Sequence, residues 1–111
     1  MCIRDRNVTI HGIGDALKMA HRRQSPKEVI DKLQHHQAVG EAFGYYFDAQ
    51  GNVVHKVKTI GLQLEDLESK DFIFAVAGGQ SKGEAIKAYL SIAPDNTVLI
   101  TDETAAKVIL Q

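Results

Sequence analysis

The residues with the clearest chemical potential in this chain are Gly78-Gly79-Gln80-Ser81-Lys82. Two glycines let backbone N–H groups come close to a ligand, and a helix starting there presents unpaired N–H groups and a positive dipole end. Lys82 adds a full charge in the first turn, where the helix dipole disfavours a cation unless an anion shares the site. The alternative is a tight strand-to-helix turn with a solvated lysine. The spacing matches neither GxxxxGK(S/T) nor GxGxxG, so the pattern leaves both readings open.

Other candidates are weaker. Gly12-Ile13-Gly14 also sits between a strand and a helix, but Leu17 stands where a dinucleotide fingerprint needs its third glycine, so a structural turn is the better reading. Arg22 and Arg23 end a helix, where cations are favourable without any ligand. Glu41 precedes a small-and-aromatic stretch, Ala42-Phe43-Gly44-Tyr45-Tyr46-Phe47. There it can accept sugar hydroxyls or stand as an exposed loop carboxylate. Tyr45 and Tyr46 point to opposite sides of a strand, so at most one is expected in the core and the other over a cleft or an interface. His35 and His36 are adjacent and face different sides of a helix, and His11 and His55 hold no ligand spacing with them. No metal site, no cofactor and no Ser/His/Asp or Cys/His set follows from these residues.

The elements that must position them alternate. Residues 8–11 read as a strand, 15–23 as a helix, and Ser25-Pro26-Lys27-Glu28 as a helix start with Ser25 capping and Glu28 closing the box. Residues 43–47 and 53–57 flank Asp48-Ala49-Gln50-Gly51-Asn52 as a hairpin. Residues 64–69 read as a short helix. Phe72-Ile73-Phe74-Ala75-Val76-Ala77 is apolar on both faces, as a central parallel strand is. Ser81-Lys82-Gly83-Glu84 reads as a second capping box opening a helix to Ile92. Residues 97–101 form another strand, and Asp102 opens a closing helix to Leu110. Strand–helix–strand–helix of this length makes a right-handed βαβ unit, so the fold class is α/β.

Composition agrees. A chain of 111 residues has room for one domain with a real core. Thirteen Lys+Arg against fourteen Asp+Glu give a net charge of -1, unlike the basic excess of a free-standing nucleic-acid or anionic-membrane binder. One cysteine, Cys2, excludes an internal disulfide. No apolar run approaches a membrane span and no signal segment opens the chain, so the location expected is cytoplasmic. Residues 1–6 read as a non-native leader outside the fold, and 7–111 as one continuous piece.

Four blocks, in order, resemble a known family: Val39-Gly40-Glu41-Ala42-Phe43-Gly44-Tyr45-Tyr46-Phe47-Asp48, Thr59-Ile60-Gly61-Leu62, Ala75-Val76-Ala77-Gly78-Gly79-Gln80-Ser81-Lys82 and Leu99-Ile100-Thr101-Asp102-Glu103-Thr104-Ala105-Ala106. The chain is similar to the C-terminal part of the sugar-binding domain of SorC/DeoR-type bacterial transcriptional regulators, and nearest to members that control glycolytic genes. The resemblance implies an incomplete Rossmann-like parallel sheet with a β-hairpin, akin to ribose-5-phosphate isomerase and glucosamine-6-phosphate deaminase. It implies a repressor, not an enzyme, that senses a phosphorylated sugar, chiefly fructose 1,6-bisphosphate, and then loosens its hold on operator DNA. The DNA-binding region and a glycine/threonine-rich phosphate loop are not found in this chain. The whole protein would bind DNA through that missing N-terminal region and form a homo-oligomer. Carried over by residue, the ligand lysine falls on Lys82 after Gly78-Gly79, the sugar-contacting glutamate on Glu41, and the phosphate-binding arginine on Arg22, with Arg23 as the neighbour one position away. A sugar-phosphate isomerase or deaminase is the alternative from another class, and a dimerisation module using Tyr45 or Tyr46 is a third.

Overall fold

The structure, a computed structural model, describes residues 2–4, 8–57 and 72–110. Its elements run β1 (Cys2–Arg4), β2 (Val8–Gly12), β3 (Gly14–Asp15), α1 (Ala16–Arg22), α2 (Lys27–His35), β4 (Gly40–Ala42), β5 (Tyr45–Phe47), β6 (Val53–Lys56), β7 (Phe72–Val76), α3 (Gly83–Ile92), β8 (Thr97–Ile100) and α4 (Glu103–Ile109). The expected helix at 64–69 and the Thr59-Ile60-Gly61-Leu62 block lie outside the described residues. None of the helices described is long and apolar enough to cross a membrane.

The larger sheet has the order β1-β2-β7-β8. β7 runs parallel to β2 on one side and to β8 on the other, the α/β arrangement expected. Residues 2–4, which the sequence reading sets outside the fold, pair antiparallel with β2 as its edge strand, Ile3 opposite Ile10. Their backbone satisfies the N–H and C=O groups that β2 would otherwise leave unpaired.

β7 departs from expectation on one face. Ile73 and Ala75 are fully buried, whereas Phe72 and Val76 are 56% and 43% exposed. The cause is a single covering layer. α3 and α4 pack on the inner face, where Ala75, Ala77, Ala85, Ile86, Ala88, Tyr89 and Ala105 form one core with Phe47 and Ala42. On the outer face Ile10, Phe72, Val76, Val98 and Ile100 stay exposed among the described residues. Parallel sheets ordinarily carry helices on both faces, which is why the strand reads apolar throughout.

The smaller sheet, β3-β4-β5-β6, is antiparallel. The β5–β6 hairpin was expected; β3 and β4 were not. Gly14 and Asp15 pair with Glu41 and Gly40, so the Gly12–Gly14 stretch read as a plain turn ends in a strand. β4 turns into β5 through Phe43 and Gly44, both at positive φ (56° and 84°), the geometry of a two-residue hairpin that matches strand twist. One face of this sheet joins the α3 core through Phe47. The other packs Tyr46 with Ala16, Ala20 and Leu33 of α1 and α2. With both faces covered, Tyr45 and Tyr46 are both buried, 6% and 0% exposed, which corrects the expectation that one would be free and removes it as a dimer contact.

Neither expected capping box forms. Pro26 is the N-cap of α2 and no side chain caps it. Ser25 lies one residue too early, its N–H bonded back to the Ala20 carbonyl at the end of α1. Before α3 the chain enters through a 3-10 turn, Gln80–Lys82, which makes Lys82 rather than Ser81 the cap residue. The aspartate caps do form. Asp15 accepts from Lys18 N–H at 3.1 Å, and Asp102 accepts from Ala105 N–H at 2.9 Å.

Candidate functional site

Glu41 sits on β4 directly across from Tyr46 of β5 and Gly14 of β3, so strand alternation sets Glu41 and Tyr46 on one face. Its side chain is only 6% exposed. One oxygen, Oε1, accepts both the Gly44 N–H at 2.8 Å and the Arg23 Nη2–H at 3.0 Å. Arg23 caps the end of α1 and drops onto this face, where its Nη1 also donates to the Tyr46 hydroxyl at 2.9 Å and its guanidinium lies 5.7 Å from the Tyr46 ring centre. Burial alone would lower the Arg23 pKa. The Tyr46 hydroxyl and the Glu41 carboxylate outweigh it and hold the guanidinium above its ordinary value. Glu41 is thus a strand residue in an ion pair, not a loop carboxylate.

The other oxygen, Oε2, has no hydrogen-bond partner among the described residues. It lies beside Gly14, where an added Cβ would come within 3.5 Å of Oε2 and 2.6 Å of Met19 Cγ. A side chain at Gly14 would require Met19 to shift, while the contact with Glu41 would be an ordinary one. Met19 in turn takes a long contact, 3.8 Å, from Arg22 Nη1 to its sulfur. Arg22 is exposed and makes no ion pair among the described residues. Of the two adjacent arginines, the structure brings Arg23, not Arg22, onto Glu41.

Lys82 is half-buried at the start of α3 and makes no ion pair among the described residues. Its 3-10 turn packs against β3, the strand that pairs with β4, so the lysine and Glu41 flank the same two-residue ribbon. Gly78 and Gly79 do something the sequence did not suggest. Gly79, at φ 97°, donates its N–H to Asp102 Oδ2 at 2.7 Å, and a Cβ on Gly78 would meet that oxygen at 2.6 Å. The glycine pair therefore closes on a carboxylate from the next strand's exit, and Gly79 N–H is not free for a ligand. Asp102 is held below the usual carboxylate range by the N–H of Ala105, then by the Thr104 hydroxyl and the Gly79 N–H.

β3 follows the carboxyl end of β2 and the 3-10 turn that carries Lys82 follows that of β7, the ends at which open parallel sheets bind ligands. A cavity of about 280 Å³ lined by Ile10, His11, Gly12 and Val76 opens at the same ends. None of Arg22, Glu41 or Lys82 lines it. His11, not a ligand by spacing, is a buried structural group: its Nδ1–H donates to the Gly12 carbonyl at 2.9 Å, leaving Nε2 to accept from the Tyr89 hydroxyl at 3.1 Å. Phe43 packs on it with ring centres 4.4 Å apart. Sequence reasoning missed Arg23 as the partner of Glu41, Tyr46 as the partner of Arg23, and Asp102 as the partner of Gly79. Only the Asp102 cap carried a local signal.

The chain matches, over residues 2–111, the family described as "Putative sugar-binding domain". It is 55% identical over 105 residues to the central glycolytic genes regulator of Priestia megaterium, covering 95% of this chain and 30% of that one. The regulator of the same name in Bacillus subtilis is 53% identical over 109 residues, 98% of this chain and 32% of its own. Among solved structures, one titled a putative SorC family transcriptional regulator, from Enterococcus faecalis, superimposes with a TM-score of 0.88 at 48% identity, over 92% of this chain and 41% of that one. The chain thus spans about a third of the length of the curated relatives it matches.

Proposed function

This chain belongs to the sugar-binding domain family of SorC/DeoR-type transcriptional regulators, and from that premise we propose that it is the effector-sensing part of a bacterial repressor of glycolytic genes. The effector is a phosphorylated sugar, fructose 1,6-bisphosphate in the first instance, and its binding relieves the hold of the whole protein on operator DNA. The observation that supports this reading is the buried Glu41 carboxylate, with Oε1 held by Arg23 and Gly44 and Oε2, beside Gly14, without a hydrogen-bond partner among the described residues. Such an oxygen accepts a hydroxyl hydrogen bond and rejects ligands that lack one.

Lys82 and Arg22 supply the cations. Neither makes an ion pair among the described residues, and an exposed guanidinium can grip a phosphate through two donors. The glycine pair 78–79 shapes the turn that carries Lys82. Two phosphates bring about −3 to −4 charges, more than these two side chains balance, so the reading requires further donors. The module binds rather than catalyses: among the described residues the charged neighbour of Glu41 is an arginine and no acid–base pair stands beside it. The reading places the protein in the cytoplasm, where phosphorylated sugars and operator DNA meet.

Calorimetry on the full-length protein with fructose 1,6-bisphosphate tests this. Lys82→Ala is expected to weaken binding at least tenfold, and the sugar is expected to release operator DNA without being consumed. Unchanged affinity in Lys82→Ala removes the site assignment, and formation of a product turns the reading to an isomerase or deaminase.

A further inference from the structure

We infer that Arg23 is a positioning residue for sugar recognition: it holds Glu41 by Oε1, so that Oε2 is the oxygen left to read a sugar hydroxyl. The inference rests on the reading of Glu41 as the sugar-contacting group and adds to it which residue makes Glu41 fit for that contact.

A carboxylate has two chemically equal oxygens, and a buried one free to rotate about its last bond presents either. Here the symmetry is broken twice on the same atom. The Gly44 N–H and Arg23 Nη2 both reach Oε1, at 2.8 and 3.0 Å, from opposite parts of the chain, a hairpin turn and a helix end. Arg23 is itself fixed by its second donor on the Tyr46 hydroxyl at 2.9 Å and by the Tyr46 ring beneath it. Tyr46 is fully buried between the small sheet and α1 and α2. A planar guanidinium with one donor on each partner sets both directions at once, which an ammonium cannot do. Arg23 also neutralises a charge that would otherwise be buried alone. Its two donors on this side are used within the protein, whereas the Arg22 guanidinium is not so held. The adjacent arginines therefore divide the work, Arg22 toward the ligand's phosphate and Arg23 toward Glu41.

The test uses the full-length protein and two probes: fructose 1,6-bisphosphate, and an alkyl bisphosphate of the same length with no hydroxyls. Arg23→Met, Glu41→Gln and the double variant are titrated by calorimetry, with thermal unfolding as the folding control. We expect each single variant to weaken sugar bisphosphate binding by about 10- to 100-fold, the range for a hydrogen bond to a charged group. We expect the double variant to be no weaker than Glu41→Gln, because Arg23 acts through Glu41. Affinity for the alkyl bisphosphate should stay at the parent value in Arg23→Met. Additive losses in the double variant, or a loss of alkyl bisphosphate binding in Arg23→Met, make Arg23 a phosphate ligand and overturn the inference. So does full sugar affinity in a folded Arg23→Met when Glu41→Gln is weakened. Full sugar affinity in Glu41→Gln instead overturns the reading of Glu41 itself, and the two failures are thereby told apart. If Arg23→Met does not fold, Tyr46→Phe, which loses only the hydroxyl, replaces it. A two- to fivefold weakening is then expected that vanishes in the Glu41→Gln background, and a weakening that persists there overturns the inference.

Discussion

The two sheets use similar residues and end in different surroundings. The large parallel sheet buries Ile73 and Ala75 against α3 and α4 and leaves Ile10, Phe72, Val76, Val98 and Ile100 bare on its other face. The small antiparallel sheet is covered on both faces, yet it is the one that holds a buried charge, Glu41, with its arginine and tyrosine. The difference separates two tasks. Among the described residues the larger sheet buries only neutral side chains, Thr9 and His11 included, and supplies the frame, whereas the small sheet that follows it carries the buried ion pair. A charge is tolerated there because a turn and a helix end each bring a donor to it, Gly44 N–H and Arg23, and Tyr46 holds the arginine in place.

The largest effect expected from this contrast lies within the large sheet. Ile73→Ala, at a fully buried position, is expected to cost about 2–5 kcal/mol in urea unfolding. Ile100→Ala, 50% exposed on the other face, should cost under about 1 kcal/mol. Equal losses would mean that the outer face is packed in solution. Next comes the charge on the small sheet. Glu41→Gln leaves Arg23 and Gly44 with a weaker acceptor and is expected to lose about 1–3 kcal/mol.

Acidification probes the seam between the sheets. Burial holds the His11 imidazole below its ordinary value of 6.5, more than its hydrogen bond to the Gly12 carbonyl raises it. The unfolded chain then takes up a proton before the folded one does. The stabilising contribution of neutral His11 is complete above 6.5 and is lost as pH falls from there through the folded value. His55 is shifted the same way, by burial first and then by Lys32. Urea midpoints should therefore drop on the acid side of that value, and His11→Gln should flatten the drop; a level profile in the parent chain contradicts the buried neutral imidazole. The smallest effect is expected at Glu103, whose pair with Lys107 on α4 spans 3.4 Å between exposed side chains. Glu103→Gln should change stability by under about 0.5 kcal/mol, and a loss rivalling that of Glu41→Gln would erase the contrast between buried and surface charge.

What the amino-acid order made legible follows the same division. β7, α3, β8 and α4 were readable because each is a run long enough to show its period, with Asp102 as a local start signal. β3 and β4 were not, since two or three residues carry no period and their pairing is set by partners 26 residues or so away in the chain. The Ser25 and Ser81 boxes failed because capping depends on the turn before the helix, a proline N-cap in one case and a 3-10 turn in the other. Lys82 stood out by its place after the Gly78-Gly79 turn, and the resemblance added ligand roles for Glu41 and Arg22, but the environment of Glu41 was beyond local reading. Its partner Arg23 lies 18 positions away and is brought near only when α1 folds over the small sheet.

The Asp102 carboxylate has a mechanical consequence. One oxygen ties the first turn of α4 and the other ties the Gly78–Gly79 bend, at 2.9 and 2.7 Å. The exits of two neighbouring strands are thereby yoked through one side chain, and a pull that displaces either loop is transmitted to its neighbour before the yoke gives way.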